Sequence, residues 1–296
     1  MAQPATTWSH TDFACACLID RPRTERLRQA IHQAVSPGDT VLDVGAGSGI
    51  LSLFAIEAGA ELVFSVESDP LQAKILRQTV EMNDLRHRVT VEGDIMGIDD
   101  LPAPDVVITE LMETGLLDEM QVPALNHLWG SGVICDDTTI LPRGYQAFVE
   151  LVHTNEDFYG FKFAAPRHDW PNYSRDVEWH PTSTAAVSEK VCILDLDFQS
   201  GIVPTDYTTT IRLDLRRPLA TGDGSVPVAN ALRLSGVALL CEGLELGASN
   251  TINSDKILML KTPVSFDESF VEVEVSFRLG GGQHSLVIYS STGRLL

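Results

Sequence analysis

The chain has 296 residues, of which 44% are hydrophobic and 21% charged, and its formal net charge is −20. This length and balance suit a globular protein of one large or two ordinary domains with a real core; no apolar run is long enough to span a bilayer. The acidic excess argues against a nucleic-acid partner, whose phosphates need a basic face, and suits either a cationic substrate drawn in by a negative field or simple solubility.

Neither a membrane segment nor a basic-then-apolar leader is expected. The five cysteines are scattered, and Cys15-x-Cys17 has no second half, so no metal site is expected and reduced thiols in a cytoplasm fit best. Residues 1–19 are weakly patterned, with Trp8 and Phe13 as lids or packing anchors. A helix is predicted from Asp20 to about Val35, with Leu27 and Ile31 on one face and Arg21, Arg23, Arg26 and Arg28 crowding its start. Ser36-Pro37-Gly38-Asp39 is a turn.

Thr40–Ser68 then reads as strand, glycine turn, helix and strand. Val41, Leu42 and Val44 form the first apolar run. Gly45, Gly47 and Gly49 follow as G-x-G-x-G, Ile50 to Ala58 has helical spacing, and Gly59 stops it. Leu62–Val66 is the second strand and ends on Glu67. Glycines let backbone approach a ligand closely, and an acid at the end of the second strand can take both ribose hydroxyls. The glycine spacing departs from the dinucleotide fingerprint, and Asp43 just before the turn suits a cationic ligand end better than a pyrophosphate. S-adenosylmethionine has the ribose, amino group and sulfonium that match. The plainer alternative is an α/β turn with structural glycines.

Pro70–Met82 is predicted as helix, Arg88–Glu92 as strand, and Asp105–Thr109 as strand, with Gly93-Asp94-Ile95-Met96 between them. Gln121–Trp129 is predicted as helix and Gly132–Cys135 as strand. Strands alternating with helices indicate a doubly wound parallel sheet, whose ligands sit at the carboxyl ends of its strands. Asp43, Glu67, Asp94 and Glu110 all fall there. Beyond Leu141-Pro142-Arg143-Gly144 seven β runs follow, separated by turn-rich loops. They indicate a second, mostly antiparallel barrel or sandwich. The expected division is 1–142, an α/β Rossmann-like domain, and 143–296, the β domain. The aromatic stretch Phe158–His180 is an arm, a lid or a long loop.

Directly past the fourth strand, Glu110, Glu113, Asp118 and Glu119 place four carboxylates close together, interleaved with Leu111, Met112, Leu116 and Leu117. The interleaving points to a loop folded inward. Two inward carboxylates would clamp a planar cation, since a guanidinium presents donors in a fixed fork. Methyl transfer from a sulfonium needs a nucleophile held in line, so positioning is much of the work. The carboxylates can localise positive charge on the other guanidinium nitrogens and accept a proton late.

On these residues the chain resembles the protein arginine methyltransferases, a class I methyltransferase family, from about Asp20 to Pro142 and more weakly through the β-rich half. V-L-D-V-G-A-G-S-G-I-L-S-L-F-A at 41–55 is similar to the family's first motif. The resemblance implies that Asp43, Gly45, Gly47 and Glu67 hold the cofactor, that Arg23 binds its carboxylate, and that Ile95 and Met96 contact adenine, although the family usually has Glu where Met96 stands. It implies that Glu110 and Glu119, nine positions apart, are the catalytic pair that clamps the substrate guanidinium. The Gly-Leu pair before the second Glu resembles a divergent branch with monomethylating members. Residues 158–180 match a dimerisation arm, and a homodimer is expected. The family's Thr-His-Trp loop should fall near Asn253-Ser254-Asp255, where neither His nor Trp occurs. Asp20, which would pair with that His, is expected to lack its partner. The altered wall suggests free arginine or a small guanidine as substrate ahead of a protein arginine. The rivals are a methyltransferase of the same fold acting on another small-molecule N or O, and a catalytically silent relative. Glu113 and Asp118 are expected as loop charges, Trp129, Trp170 and Trp179 as packing residues, and the eight histidines as surface or core.

Overall fold

A computed structural model of the chain describes residues 11–97, 101–164, 167–169, 184–216, 228–267, 269–291 and 293–296. Two helices open it, α1 (Thr11–Ile19) and α2 (Arg21–Ala34). The first falls in a stretch where no element is expected, because T-D-F-A-C-A-C-L-I is apolar on all sides and shows no helical stripe. In α2, Pro22 sits in the first turn and Leu27, Ala30 and Ile31 are buried.

Next come β1 (Thr40–Val44), α3 (Ile50–Ala58), β2 (Leu62–Val66), α4 (Pro70–Met82), β3 (Val89–Glu92), β4 (Val106–Thr109), α5 (Gln121–Ser131) and β5 (Thr139–Leu141). The five strands form a parallel sheet in the order β3-β2-β1-β4-β5. Val44 lies opposite both Val66 and Thr109, so the carboxyl ends of β1, β2 and β4 are level. The strand order turns about at β1, which opens a crevice past these ends. The expected strand at Gly132–Cys135 is corrected. Gly132 caps α5 at φ 75°, and the Val133 and Ile134 amides donate back to the Leu128 carbonyl. Both side chains are buried in the helix end, which gives an apolar pair the look of a strand.

The second half is antiparallel. Its strands are β6 (Gly144–Thr154), β7 (Asp157–Phe158), β8 (Phe161–Lys162), β9 (Arg167–Asp169), β10 (Thr184–Ala186), β11 (Val191–Asp197), β12 (Asp206–Asp214), β13 (Ala229–Cys241), β14 (Leu244–Leu246), β15 (Asp255–Val264), β16 (Phe270–Arg278), β17 (Val287–Ser290) and β18 (Gly293–Arg294). One sheet runs β10-β6-β13-β15-β9, with β11 on β6 and β14 on β13; another runs β12-β16-β17-β18. Their inner faces carry Val149, Leu232, Leu234, Val273 and Val275, all buried. The architecture is therefore a Rossmann-like α/β unit followed by antiparallel β sheets. Of the aromatic stretch 158–180, β7 and β8 form a small hairpin and β9 pairs along β15. Residues 165–166 and 170–180 of that stretch, with Trp170, Trp179 and His180, lie outside the described residues, as do Trp8 and His10. Among the described residues no helix is long and apolar enough to cross a membrane, and all five cysteines are free.

Candidate functional site

A cavity of about 510 Å3 lies at the carboxyl ends of β1, β2 and β4. Its size suits a nucleoside-sized ligand. One wall is the glycine turn after β1. The Gly45 and Ala46 amides donate to the Val66 carbonyl at 2.8 and 3.0 Å, and Gly47 donates to Glu67 Oε2 at 2.9 Å. The other Glu67 oxygen accepts from the Asp69 amide at 2.8 Å. Glu67 thus ties the turn to the end of β2 and lines the cavity beside Gly45 and Gly47. Gly45 has φ 75°, and a Cβ there would run into the Leu111 side chain. Ile95 and Met96 line the far end, with the Met96 amide bound to Asp94 Oδ1 at 3.1 Å.

Asp43 does not line the cavity. It is fully buried beneath the turn, where the Ser52 hydroxyl donates to its Oδ2 at 2.5 Å; its Oδ1 has no partner. Burial pushes its carboxyl up to about 6 against the opposing Ser52 hydrogen bonds. The structure therefore places Asp43 as a support under the glycine turn.

Arg23 reaches into the cavity from α2. Its guanidinium pairs with Glu110, and both side chains are largely buried. Its Nε is buried without a hydrogen-bond partner. A cation with an idle donor, a bidentate acid and a glycine cradle fit S-adenosylmethionine, which has a carboxylate, a ribose diol and a backbone-hugging methionine chain to match them.

The acidic loop between β4 and α5 folds inward, and Glu110, Asp118 and Glu119 all line the same cavity. Met112, Leu116 and Leu117 are buried under it. The Leu111 amide donates to Gln121 Oε1 at 3.0 Å, and Gln121 Nε2 donates to Thr109 Oγ1 at 2.7 Å. Glu119 is half-buried and has no hydrogen-bond or ion-pair partner among the described residues. Burial first, and then the Glu113 charge, push its carboxyl up to about 7, against the pull of Arg23 and Lys256.

Distant strands pin this loop. The Gly115 amide donates to the Tyr145 hydroxyl at 2.9 Å, and that hydroxyl donates to Asn253 Oδ1 at 2.8 Å. Thr114 Oγ1 donates to the Ser254 carbonyl at 2.5 Å. The Gly280 and Gly282 amides donate to the Leu116 and Leu117 carbonyls. One sequence reading is corrected here. Glu113 and Asp118 are not free loop charges, because Lys256 Nζ donates to both, at 2.8 Å to Asp118. Asp20, expected to lack its histidine, finds other donors. Its Oδ2 accepts from Ser249 Oγ at 2.6 Å, the Thr251 amide at 2.9 Å and Thr251 Oγ1 at 2.8 Å. Hydroxyls from the loop before β15 fill the place where a histidine was looked for. The signal for Lys256 was a lone cation opening the apolar run K-I-L-M-L, which had no visible partner in the sequence. Among the described residues no group of His, Cys, Asp or Glu is placed to hold a metal ion.

Comparison with known proteins finds methyltransferases. The ribosomal protein L11 methyltransferase family (PrmA) matches residues 21–156. An uncharacterized protein of Methanocaldococcus jannaschii is 26% identical over 92% of this chain and 93% of its own length. The arginine N(omega)-methyltransferase of Streptomyces achromogenes subsp. streptozoticus is 33% identical over 48% of this chain, a match that spans 40% of that enzyme. The Trypanosoma brucei PRMT1 enzyme–prozyme heterotetrameric complex with AdoHcy superimposes at a TM-score of 0.68 with 19% identity, over 97% of this chain and 99% of that one. At that identity the likeness is one of fold, and it extends through both halves of the chain.

Proposed function

We propose that this chain, a class I methyltransferase of the protein arginine methyltransferase type that uses S-adenosylmethionine to methylate arginine, acts on free arginine or a small guanidine, held between Glu110 and Glu119. The observation that carries the reading is Glu119. It is a half-buried carboxylate that lines the cavity, without a hydrogen-bond or ion-pair partner among the described residues, and the cavity also holds Arg23, Glu67 and the glycine turn. A half-buried carboxylate whose charge is resisted by burial and by the neighbouring Glu113 is one that a bound cation would stabilise. A guanidinium would satisfy it through parallel N–H donors.

Each residue then has a task. Gly45 and Gly47 leave room for the cofactor, Glu67 receives its ribose hydroxyls, and Arg23 faces its carboxylate. Ile95 and Met96 bound the adenine end. The cofactor supplies an electrophilic methyl. Glu110 and Glu119 orient the guanidinium, keep positive charge on the nitrogens they bind, and accept the proton released from the methylated one. Asp20 is held by three donors from Ser249 and Thr251 and has no histidine beside it among the described residues, so it serves as an anchor for α2 and not as a proton relay.

Free arginine is placed ahead of a protein arginine for two reasons. Asn253-Ser254-Asp255, where the resembled family carries its Thr-His-Trp loop, has neither His nor Trp. The Streptomyces relative is named for arginine itself. Monomethylarginine is the proposed product, and a homodimer the proposed assembly. Incubation with labelled cofactor and either free arginine or an arginine-rich peptide, read by product mass, tests this. Methylated free arginine is the expected result; methylation of peptide alone overturns the small-molecule reading, and an unlabelled pair overturns the arginine reading.

A further inference from the structure

Lys256 opens β15, far along the chain from the acidic loop, and its side chain is 3% exposed. Its ammonium donates to Glu113 Oε2 and to Asp118 Oδ2. The other oxygen of Glu113 accepts from the Leu117 and Asp118 amides, and Asp118 Oδ1 accepts from the Gln283 amide at 2.7 Å. The turn between Glu110 and Glu119 is thus wrapped around one buried cation. Leu116 and Gly115, both at positive φ, give the turn its shape.

We propose that Lys256 is a positioning residue for the acidic clamp: by gathering Glu113 and Asp118 onto its ammonium, it holds the loop so that Glu119 faces the cavity and leaves Glu119 as the carboxylate free to take a cation. The inference rests on the proposed guanidinium clamp. A buried carboxylate is sensitive to every charge around it. Glu119 faces Glu113 and Asp118 on its own loop, Glu110 across the cavity, Arg23 from α2, the Cys17 thiol from α1, and Lys256 from β15. His168 on β9 stands opposite Lys256 in register and faces Asp118. Within this set Glu113 and Asp118 raise the Glu119 carboxyl, and Arg23 and Lys256 lower it. Removal of the Lys256 charge leaves two extra anions beside Glu119 and drives it toward the protonated form. Neutralising Glu113 has the opposite effect.

The test is a carbon-13 NMR titration of protein labelled at its glutamate carboxyls, with Glu119→Gln assigning the resonance, alongside the pH dependence of kcat/KM for arginine. Lys256→Met should raise the Glu119 midpoint by about one pH unit, Glu113→Gln should lower it, and Lys256→Arg should leave it near wild type. The acid limb of kcat/KM should move with the midpoint. Coincident midpoints for wild type and Lys256→Met, or shifts of the same sign for Lys256→Met and Glu113→Gln, overturn the proposal. If Lys256→Met does not fold, Lys256→Gln decides on the same readout: a raised midpoint supports the role and an unmoved one removes it. Wild-type protein inactive toward arginine would refute the proposed substrate, while the titration still decides the role of Lys256.

Discussion

The two ends of the cavity are built by different means. At the cofactor end, Gly45, Gly47 and Glu67 come from one short stretch of β1, turn, α3 and β2, and they hold each other: Gly47 donates to Glu67, and Gly45 and Ala46 donate to Val66. At the acidic end, Glu110 and Glu119 come from a loop whose shape depends on Tyr145, Ser254, Lys256 and Gly280 in the β half. The first end is made by local backbone geometry. The second is made by long-range contacts, and it leaves one half-buried acid, Glu119, without a partner among the described residues. A nucleotide cradle can therefore stay constant while a change in the β half resets what the acidic end accepts.

Substitutions that separate the two ends sharpen this contrast. The largest effect is expected for Glu119→Gln, which removes charge stabilisation at the reacting guanidinium. kcat/KM for arginine should fall by about 10²–10³, a loss typical of one deleted electrostatic contact. Affinity for S-adenosylhomocysteine, measured by calorimetry, should stay within about twofold, since Glu119 belongs to the other end. Glu67→Ala should do the reverse. Losing a charge-assisted hydrogen bond costs about 1.5–3 kcal/mol, so cofactor affinity should drop roughly tenfold to a hundredfold.

pH should act on the acidic end first. Glu119 is raised to about 7, so it is a carboxylate above that pH and neutral below it. kcat/KM should fall about tenfold per pH unit on the acid side of this midpoint. Binding of S-adenosylhomocysteine over the same range should change less, which a paired calorimetric series checks. The smallest effect is expected for Tyr145→Phe. It leaves the Gly115 amide and Asn253 Oδ1 without the hydroxyl that joins them, at a cost of about 1–3 kcal/mol of stability in denaturant unfolding. Turnover should fall a few-fold through a looser acidic loop, with cofactor affinity unchanged. Loss of cofactor affinity in Tyr145→Phe would break the separation of the two ends.

The same contrast explains what could be read from the residues alone. The parallel sheet, the glycine turn and Glu67 were legible because strand period, helix spacing and turn chemistry are all written within Thr40–Ser68. The inward fold of the acidic loop was legible from Leu111, Met112, Leu116 and Leu117 set among acids. What pins that loop was not, because Lys256 and its acids are separated by most of the β half and no local pattern links them. The donors that Asp20 finds in place of a histidine were hidden for a related reason: Ser249 and Thr251, whose hydroxyls and amide supply the three hydrogen bonds, lie more than 200 residues away with no local pattern linking them. Asp43 was assigned to the ligand by its place before the glycines, but a strand residue on the sheet's covered face points into the core, where Ser52 receives it. The false strand at Gly132–Cys135 arose because two buried residues in a helix cap have the same polarity as two in a strand.

The most direct test is calorimetric titration of arginine into the protein saturated with S-adenosylhomocysteine, for wild type and Glu119→Gln. Saturable binding by wild type, weakened at least about tenfold in the variant, is the outcome that a partnerless carboxylate waiting for a guanidinium requires. Equal binding by the two proteins would contradict it.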